Sequence, residues 1–222
     1  MTETWNVWDD RLEDGRLLAS IVSGKIPTPE QRLRQFAGQL SWLPGERGET
    51  VLDVGCGNGN CHRPLTELFG LFYSGCDISE NMLRIAREEN PECDFQLARA
   101  EKLPYADNSF DLTLCLAVLL HLPREYEEPI ITELRRVSRR YAVVGQRCAL
   151  NSAGHCVAGK YDMLSRVDPL EDVVRRAQAI DPAVEMHIGT LTGPHPTHNA
   201  YAGAQRYNIG VYLTFRKESE AE

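Results

Sequence analysis

The chain has 222 residues, 42% of them hydrophobic and 25% charged, with a formal net charge of -8 at pH 7. That length suits a single domain with a substantial core, and the acidic balance argues against a broad interface with nucleic-acid phosphates, which needs a basic face. No stretch is apolar for long enough to cross a bilayer, no charged start leads into an apolar run, and seven cysteines without regular spacing fit a reducing compartment better than a disulfide framework.

Trp5, Trp8 and Leu12, then Leu17, Leu18 and Ile21, recur at helical spacing. Thr28-Pro29-Glu30 has a capping Thr and a Pro at the first helical position, with Leu33, Phe36, Ala37 and Leu40 as the apolar stripe that follows. Residues 1–47 are therefore expected to be an N-terminal helical cap. Gly45 and Gly48 mark the entry to the main domain, 48–217, and residues 218–222 are expected to fray. Strands are predicted at 50–55, 71–76, 93–98, 110–116 and 141–146, with helices in the gaps. This is the crossover pattern of a parallel sheet. Ser79 suits an N-cap for a helix through Met82, Leu83 and Ala86. Ile130, Ile131, Leu134 and Val137 mark a second helix, Pro169 to Ile180 a third, and Val184 to Ile188 and Tyr207 to Phe215 the last strands. Residues 148–168 and 189–205 stay unassigned. The pairs Arg135-Arg136, Arg139-Arg140 and Arg175-Arg176 read as solvated faces.

The most informative stretch is Val51-Leu-Asp-Val-Gly-Cys-Gly-Asn-Gly59, an apolar strand entering a glycine-rich turn where a helix should start. Gly55, Gly57 and Gly59 allow positive φ and close approach of a ligand to the main chain. A dinucleotide fingerprint would place its third glycine where this chain has Asn60. Asp77 closes the second strand about 20 residues on, where a ribose-binding carboxylate belongs. Taken singly, Asp53 and Asp77 would also suit helix caps or turns.

In order, these segments resemble the class I S-adenosylmethionine-dependent methyltransferases over roughly residues 48 to 147, of the small-molecule, ubiquinone/menaquinone-methyltransferase-like kind. The stretch Asp77-Ile-Ser-Glu-Asn-Met-Leu83 is similar to the family's second motif. Phe95 to Asp111 is similar to its adenine loop and fourth-strand start. The resemblance implies an α/β, Rossmann-like, doubly wound sheet of seven mostly parallel strands with the last antiparallel. It implies S-adenosylmethionine as cofactor and S-adenosylhomocysteine as product. Asp53 would orient the cofactor's tail over Gly55, Gly57 and Gly59, and Asp77 would take the ribose hydroxyls. Ile78 would pack on adenine, Ala100 and Glu101 would meet its edge, and the main chain of Leu116 and Ala117 would hold the methionine ammonium. Arg99 departs from the family, where many relatives carry an accepting Asp, because Arg has only donors. Ser138-Arg-Arg-Tyr141 also departs, replacing a Pro-Gly-Gly turn.

A sulfonium methyl is already activated, so positioning dominates catalysis, and a base would add roughly 10² to 10⁴ in rate. His121, just after the fourth strand, has the best position for that base; a hydrogen-bonded structural histidine is the competing reading. His155, Tyr161, Asp162, His195 and His198 are lesser candidates. No metal is expected, since Cys148, His155 and Cys156 lack paired ligand spacing. The expected activity is methyl transfer to O, N or C of a small molecule, in the cytoplasm, with no nucleic-acid or membrane partner. The alternative is a noncatalytic cofactor-binding or scaffold subunit on the same fold. Neither the acceptor nor the oligomeric state is encoded in any motif found.

Overall fold

The computed structural model describes residues 33, 40–149, 155–158, 164–189 and 208–217. Strands β1 (Thr50–Val54), β2 (Phe72–Asp77), β3 (Asp94–Leu97), β4 (Phe110–Leu116) and β5 (Ser138–Ala149) alternate with helices α1 (His62–Glu67), α2 (Glu80–Glu89) and α3 (Glu127–Val137). Then come β6 (His155–Ala158), β7 (Leu164–Pro169), α4 (Leu170–Ile180), β8 (Glu185–Gly189) and β9 (Asn208–Arg216). Two 3-10 turns, Leu119–His121 and Arg124–Tyr126, lead from β4 to α3.

The central strands are apolar on both faces because both are covered. Val51, Leu52 and Val54 of β1 and Leu112, Leu114 and Cys115 of β4 are all buried, as strands packed between two helical layers must be. The helices show the matching pattern. In α2, Ser79 accepts a hydrogen bond from the Met82 amide at 3.2 Å and so caps the start, while Met82, Leu83 and Ala86 face the core. In α3, Ile130, Ile131, Leu134 and Val137 form the buried stripe, with Glu127 and Glu128 in the first turn and Arg135 and Arg136 in the last, the favourable sense for the helix dipole. Each such fully buried aliphatic side chain contributes about 1.5–3 kcal/mol.

The order β3-β2-β1-β4-β5 is parallel throughout. β9 then runs antiparallel to β5 and carries β8 on its other edge. Those are the seven strands expected, including the antiparallel last one. Among the described residues the sheet has nine strands, because the unassigned stretch after β5 supplies an antiparallel hairpin, β6 and β7. Its place follows from edge pairing. β4 stops pairing at Gly145, whereas β9 follows β5 to Ala149. Cys148 and Ala149 pair instead with Asp168 and Pro169 of β7, so β7 occupies the edge of β5 that β4 vacates, and the hairpin lies beyond the carboxyl end of β4.

At the other end of β5, the register passes from Phe110 opposite Ser138 to Leu112 opposite Tyr141, which puts one extra residue in β5. This bulge replaces the Pro-Gly-Gly turn, and Arg139 pairs with Asp111 while Arg140 pairs with Glu49. Leu40 and Leu43 lie in the core cluster that contains Val51 and Leu71. Leu33 is helical. The rest of the expected N-terminal cap, most of 189–205 and the tail 218–222 lie outside the described residues. No helix among the described residues is long and apolar enough to cross a membrane.

The arginine pairs divide. Arg175 is solvated, but Arg176 turns inward and joins a network with Arg166, Glu127 and Asp168. Arg166 on β7 donates to Glu127 on α3 and to the Leu119 carbonyl, each at 2.8 Å. The Arg166 and Glu127 side chains are each only 9% exposed, so the hairpin is tied to the turn after β4 through desolvated charge. Removing one partner strands the other. Arg166→Leu is therefore expected to lower stability by about 3 kcal/mol, whereas Arg84→Ala, which breaks an exposed pair with Glu88, is expected to cost under about 1 kcal/mol. Urea unfolding of both variants measures the difference.

Candidate active site

Parallel pairing brings the carboxyl ends of β1, β2, β3 and β4 to one edge of the sheet, and the residues singled out in the sequence collect there. Gly55, Gly57 and Gly59 have φ of +78°, +56° and +75°, values that L side chains rarely adopt. Space is also short. A Cβ on Gly55 would lie 2.3 Å from Val118 Cγ2, and one on Gly59 would lie 2.9 Å from Asn90 Nδ2. The turn is anchored by the Gly55 and Cys56 amides, which both donate to the Cys76 carbonyl, at 2.8 and 3.0 Å.

Asp77, the last residue of β2, links three segments. Its Oδ2 accepts from the Gly57 amide at 2.8 Å and its Oδ1 from the Ser79 amide at 2.9 Å, while its own carbonyl accepts from Ala98 at 2.9 Å. The glycine turn, the start of α2 and the end of β3 are thus held by one residue. Ile78 beside it is half-buried.

Asp53 is 2% exposed. Burial pushes its carboxyl up from the ordinary 3.8 to about 6, and the Asp77 charge pushes the same way, against hydrogen bonds from Tyr73 and Cys61. The Tyr73 hydroxyl donates to Oδ2 at 2.9 Å. Sequence reasoning did not single out Tyr73 or Cys61 as partners. The available signal was register: Tyr73 precedes Gly75 by two residues, and Gly75 pairs with Asp53, so the two side chains share a face.

In the loop after β3, Arg99 donates to Glu101 Oε1 at 2.6 Å. Glu101 Oε2 is buried and has no hydrogen-bond partner among the described residues. Ala100 is half-buried next to it. At the end of β4, Ala117 has φ of +59°, a left-handed conformation that costs a non-glycine residue on the order of 1 kcal/mol or more. Its amide donates to the Gly145 carbonyl at 2.7 Å, so β5 enforces the geometry just past Leu116. His121 closes the first 3-10 turn, half-buried, with its amide on the Val118 carbonyl at 2.9 Å. Tyr161, Asp162, His195 and His198 lie outside the described residues, as does the side chain of His155, while Cys148 is buried in the core.

Two consequences are measurable. Gly55→Ala is expected to destabilise the fold by about 1–3 kcal/mol, since it combines a left-handed backbone with displacement of Val118, and denaturant titration reports it. For Asp53 the folded carboxyl holds its proton to higher pH than the unfolded chain does. Stability is therefore lost as pH rises from 3.8 to about 6, by roughly 3 kcal/mol in all. Asp53→Asn should lack that loss, so its stability relative to the parent should improve between about pH 4 and about pH 7.

Comparison with known proteins agrees with this layout. The methyltransferase domain family matches residues 51–140. The methyltransferase GfsG of Streptomyces halstedii is 32% identical over 137 residues, which are 57% of this chain and 49% of that protein. A 27-O-demethylrifamycin SV methyltransferase of Amycolatopsis mediterranei is 33% identical over 140 residues, 60% of this chain and 49% of that protein. The alignment thus spans about half the length of these relatives. Among solved structures, a Haemonchus contortus phosphoethanolamine N-methyltransferase 2, in complex with phosphomonomethylethanolamine and S-adenosylhomocysteine, superposes with a TM-score of 0.70 at 15% identity, covering 99% of this chain and 61% of that one. The glycine turn, the strand-end carboxylates and the sheet order around them thus lie within or beside residues 51–140, the stretch that matches the methyltransferase domain family.

Proposed function

We propose that this chain transfers the methyl group of S-adenosylmethionine to O, N or C of a small-molecule acceptor, releasing S-adenosylhomocysteine. The observation that carries this reading is Asp77, whose carboxylate is fixed by the Gly57 and Ser79 amides at the mouth of the glycine turn. A carboxylate has about four lone-pair sites, and one held at a strand end beside the glycine turn suits acceptance of ribose hydroxyls.

The remaining residues fit the cofactor in kind. Glu101 offers a buried, unpartnered acceptor oxygen for an adenine amino group, which replaces what Arg99 cannot supply, and Arg99 orients it from the other oxygen. Ile78 supports the adenine face, and the Ala100 amide its edge. The glycine turn leaves main chain within reach of the methionine part, and the Leu116 and Ala117 main chain supplies acceptors for its ammonium. Asp53, buried and with a raised pKa, favours a cation nearby, because positive charge relieves its desolvation. Bound there, the cofactor supplies a methyl already activated on sulfonium.

What the protein adds is placement. Holding the acceptor atom in line at near-attack distance lowers the barrier by about 7–11 kcal/mol, and His121 as a general base would add roughly 10² to 10⁴ in rate for an acceptor that must lose a proton. Residues 48–217 form the methyltransferase unit in this reading, preceded by 1–47 as an N-terminal helical cap.

Asp77→Ala is expected to weaken S-adenosylmethionine and S-adenosylhomocysteine binding by about 1.5–3 kcal/mol, the worth of hydrogen bonds to a charged group; unchanged affinity in a folded variant contradicts the ribose role. His121→Ala should lower turnover at least about 10²-fold with cofactor affinity unchanged, and parent-like turnover on a true substrate removes His121 as an essential base. Affinity for the cationic cofactor should fall as pH drops below about 6, where Asp53 takes up its proton, and calorimetry across that range should find Asp53→Asn flat.

A further inference from the structure

His62, Glu92 and Cys93 offer an imidazole nitrogen, a carboxylate oxygen and a sulfur that all lie within 4.8 Å of one another. They come from the first residue of α1 and the connection between α2 and β3, so no local spacing in the sequence announces them. We propose that these three side chains form a zinc-type divalent metal site, completed by solvent, that clamps the outer side of the glycine turn.

The hydrogen-bond pattern around His62 carries the proposal. Asn90 caps α2, and its Nδ2 donates to the Ala86 carbonyl at 3.2 Å. That bond fixes which way the amide faces, since the flipped amide would set its oxygen against a carbonyl oxygen. Asn90 Oδ1 is therefore the atom 2.8 Å from His62 Nδ1, and Nδ1 carries the proton. Nε2 is the ring's other nitrogen, and it faces Glu92 Oε1 at 3.4 Å, with the Cys93 sulfur within 4.8 Å of both. Nitrogen, oxygen and sulfur converging in this way can close on one cation, which would take the place of a proton on Nε2. An acceptor on the other ring nitrogen, here the Asn90 side-chain oxygen, is what a metal-bound histidine needs to select its tautomer and aim the ring. The Cys93 amide donates to the Asn90 carbonyl at 3.1 Å, so the same residue also positions the thiol.

The donor chemistry selects the ion. Nitrogen, sulfur and one carboxylate suit Zn²⁺, and its bonds of about 2.0–2.3 Å place tetrahedral ligands roughly 3.3–3.8 Å apart. The His62 to Glu92 separation already matches, and the remaining closure, roughly 1 Å, is within side-chain rotation. Three protein ligands leave the fourth position to solvent.

Its effect would reach the cofactor edge by two direct contacts. The His62 amide donates to the Gly59 carbonyl at 3.0 Å. The His62 ring lies 5.4 Å from the Tyr73 ring, and Tyr73 donates to Asp53. A metal at His62 would thus stiffen the third glycine of the turn and the partner of the motif's buried acid. The site does not depend on the methyltransferase reading.

Full-length protein stripped with chelator and titrated with zinc chloride by calorimetry tests this. One equivalent should bind with micromolar or tighter Kd and raise the melting temperature. His62→Ala and Cys93→Ser should each weaken that binding by at least about tenfold, and Asn90→Leu by about 10–100-fold as an outer-shell change. Cobalt should give a thiolate-to-metal charge-transfer band that Cys93→Ser abolishes, a signature that general stabilisation by Cys93 would not produce. Absence of zinc uptake by the parent, or uptake that Cys93→Ser and His62→Ala leave unchanged while both remain folded by circular dichroism, overturns the proposal.

Discussion

One carboxylate holds the functional edge together. Asp77 accepts the Gly57 and Ser79 amides and so fixes the turn after β1 relative to the helix after β2. Without it, a loop with three left-handed glycines would have little to select one conformation, because glycine loses more backbone entropy on ordering than any other residue. The anchoring of Gly55 and Cys56 to Cys76 works alongside it. A cofactor that uses the same carboxylate would meet a site already organised, and preorganisation of that kind limits the ordering cost of binding.

The rest of the molecule brings this edge into being. Two-faced burial forces the central strands into a parallel array, and a parallel array delivers every strand's carboxyl end, with its loop, to one side. Beyond β4 the sheet gains a hairpin. The β6–β7 hairpin takes the edge of β5 that β4 leaves, and its Arg166 reaches the Leu119 carbonyl and Glu127. A desolvated ionic tie is costly to break, so it fixes the turn carrying His121 more tightly than loop packing alone would. The same fold supports many acceptors, and choice among them is made by loops and insertions of this type rather than by the sheet.

Much of this was legible in the sequence, and the reasons are physical. Buried parallel strands are continuous apolar runs, so β1, β2 and β4 were evident, and Ser79 announced α2 because an N-cap needs a specific side chain. The glycines were legible because left-handed turns restrict residue type, and Asp77 because a carboxylate ending the second strand about 20 residues beyond a glycine turn is a recognisable spacing. What escaped depends on pairing across distance. Tyr73 acts on Asp53 through register, Arg176 was taken for surface charge although Glu127 and Asp168 draw it inward, and β7 was missed because Ser165, Arg166 and Asp168 interrupt its apolar residues and Arg166 finds its partner Glu127 far along the chain. The cluster of His62 with Glu92 and Cys93 is invisible for the same reason: thirty residues and a strand separate its members, and only the sheet brings them together.

The central claim is that the turn pinned by Asp77 is built for S-adenosylmethionine. Calorimetric titration of cofactor-stripped protein with S-adenosylmethionine, S-adenosylhomocysteine and, as control, NAD tests it most directly. The account predicts micromolar binding of the first two and none of the third. Failure of S-adenosylmethionine and S-adenosylhomocysteine to bind the folded protein, or equal binding of NAD, would contradict it.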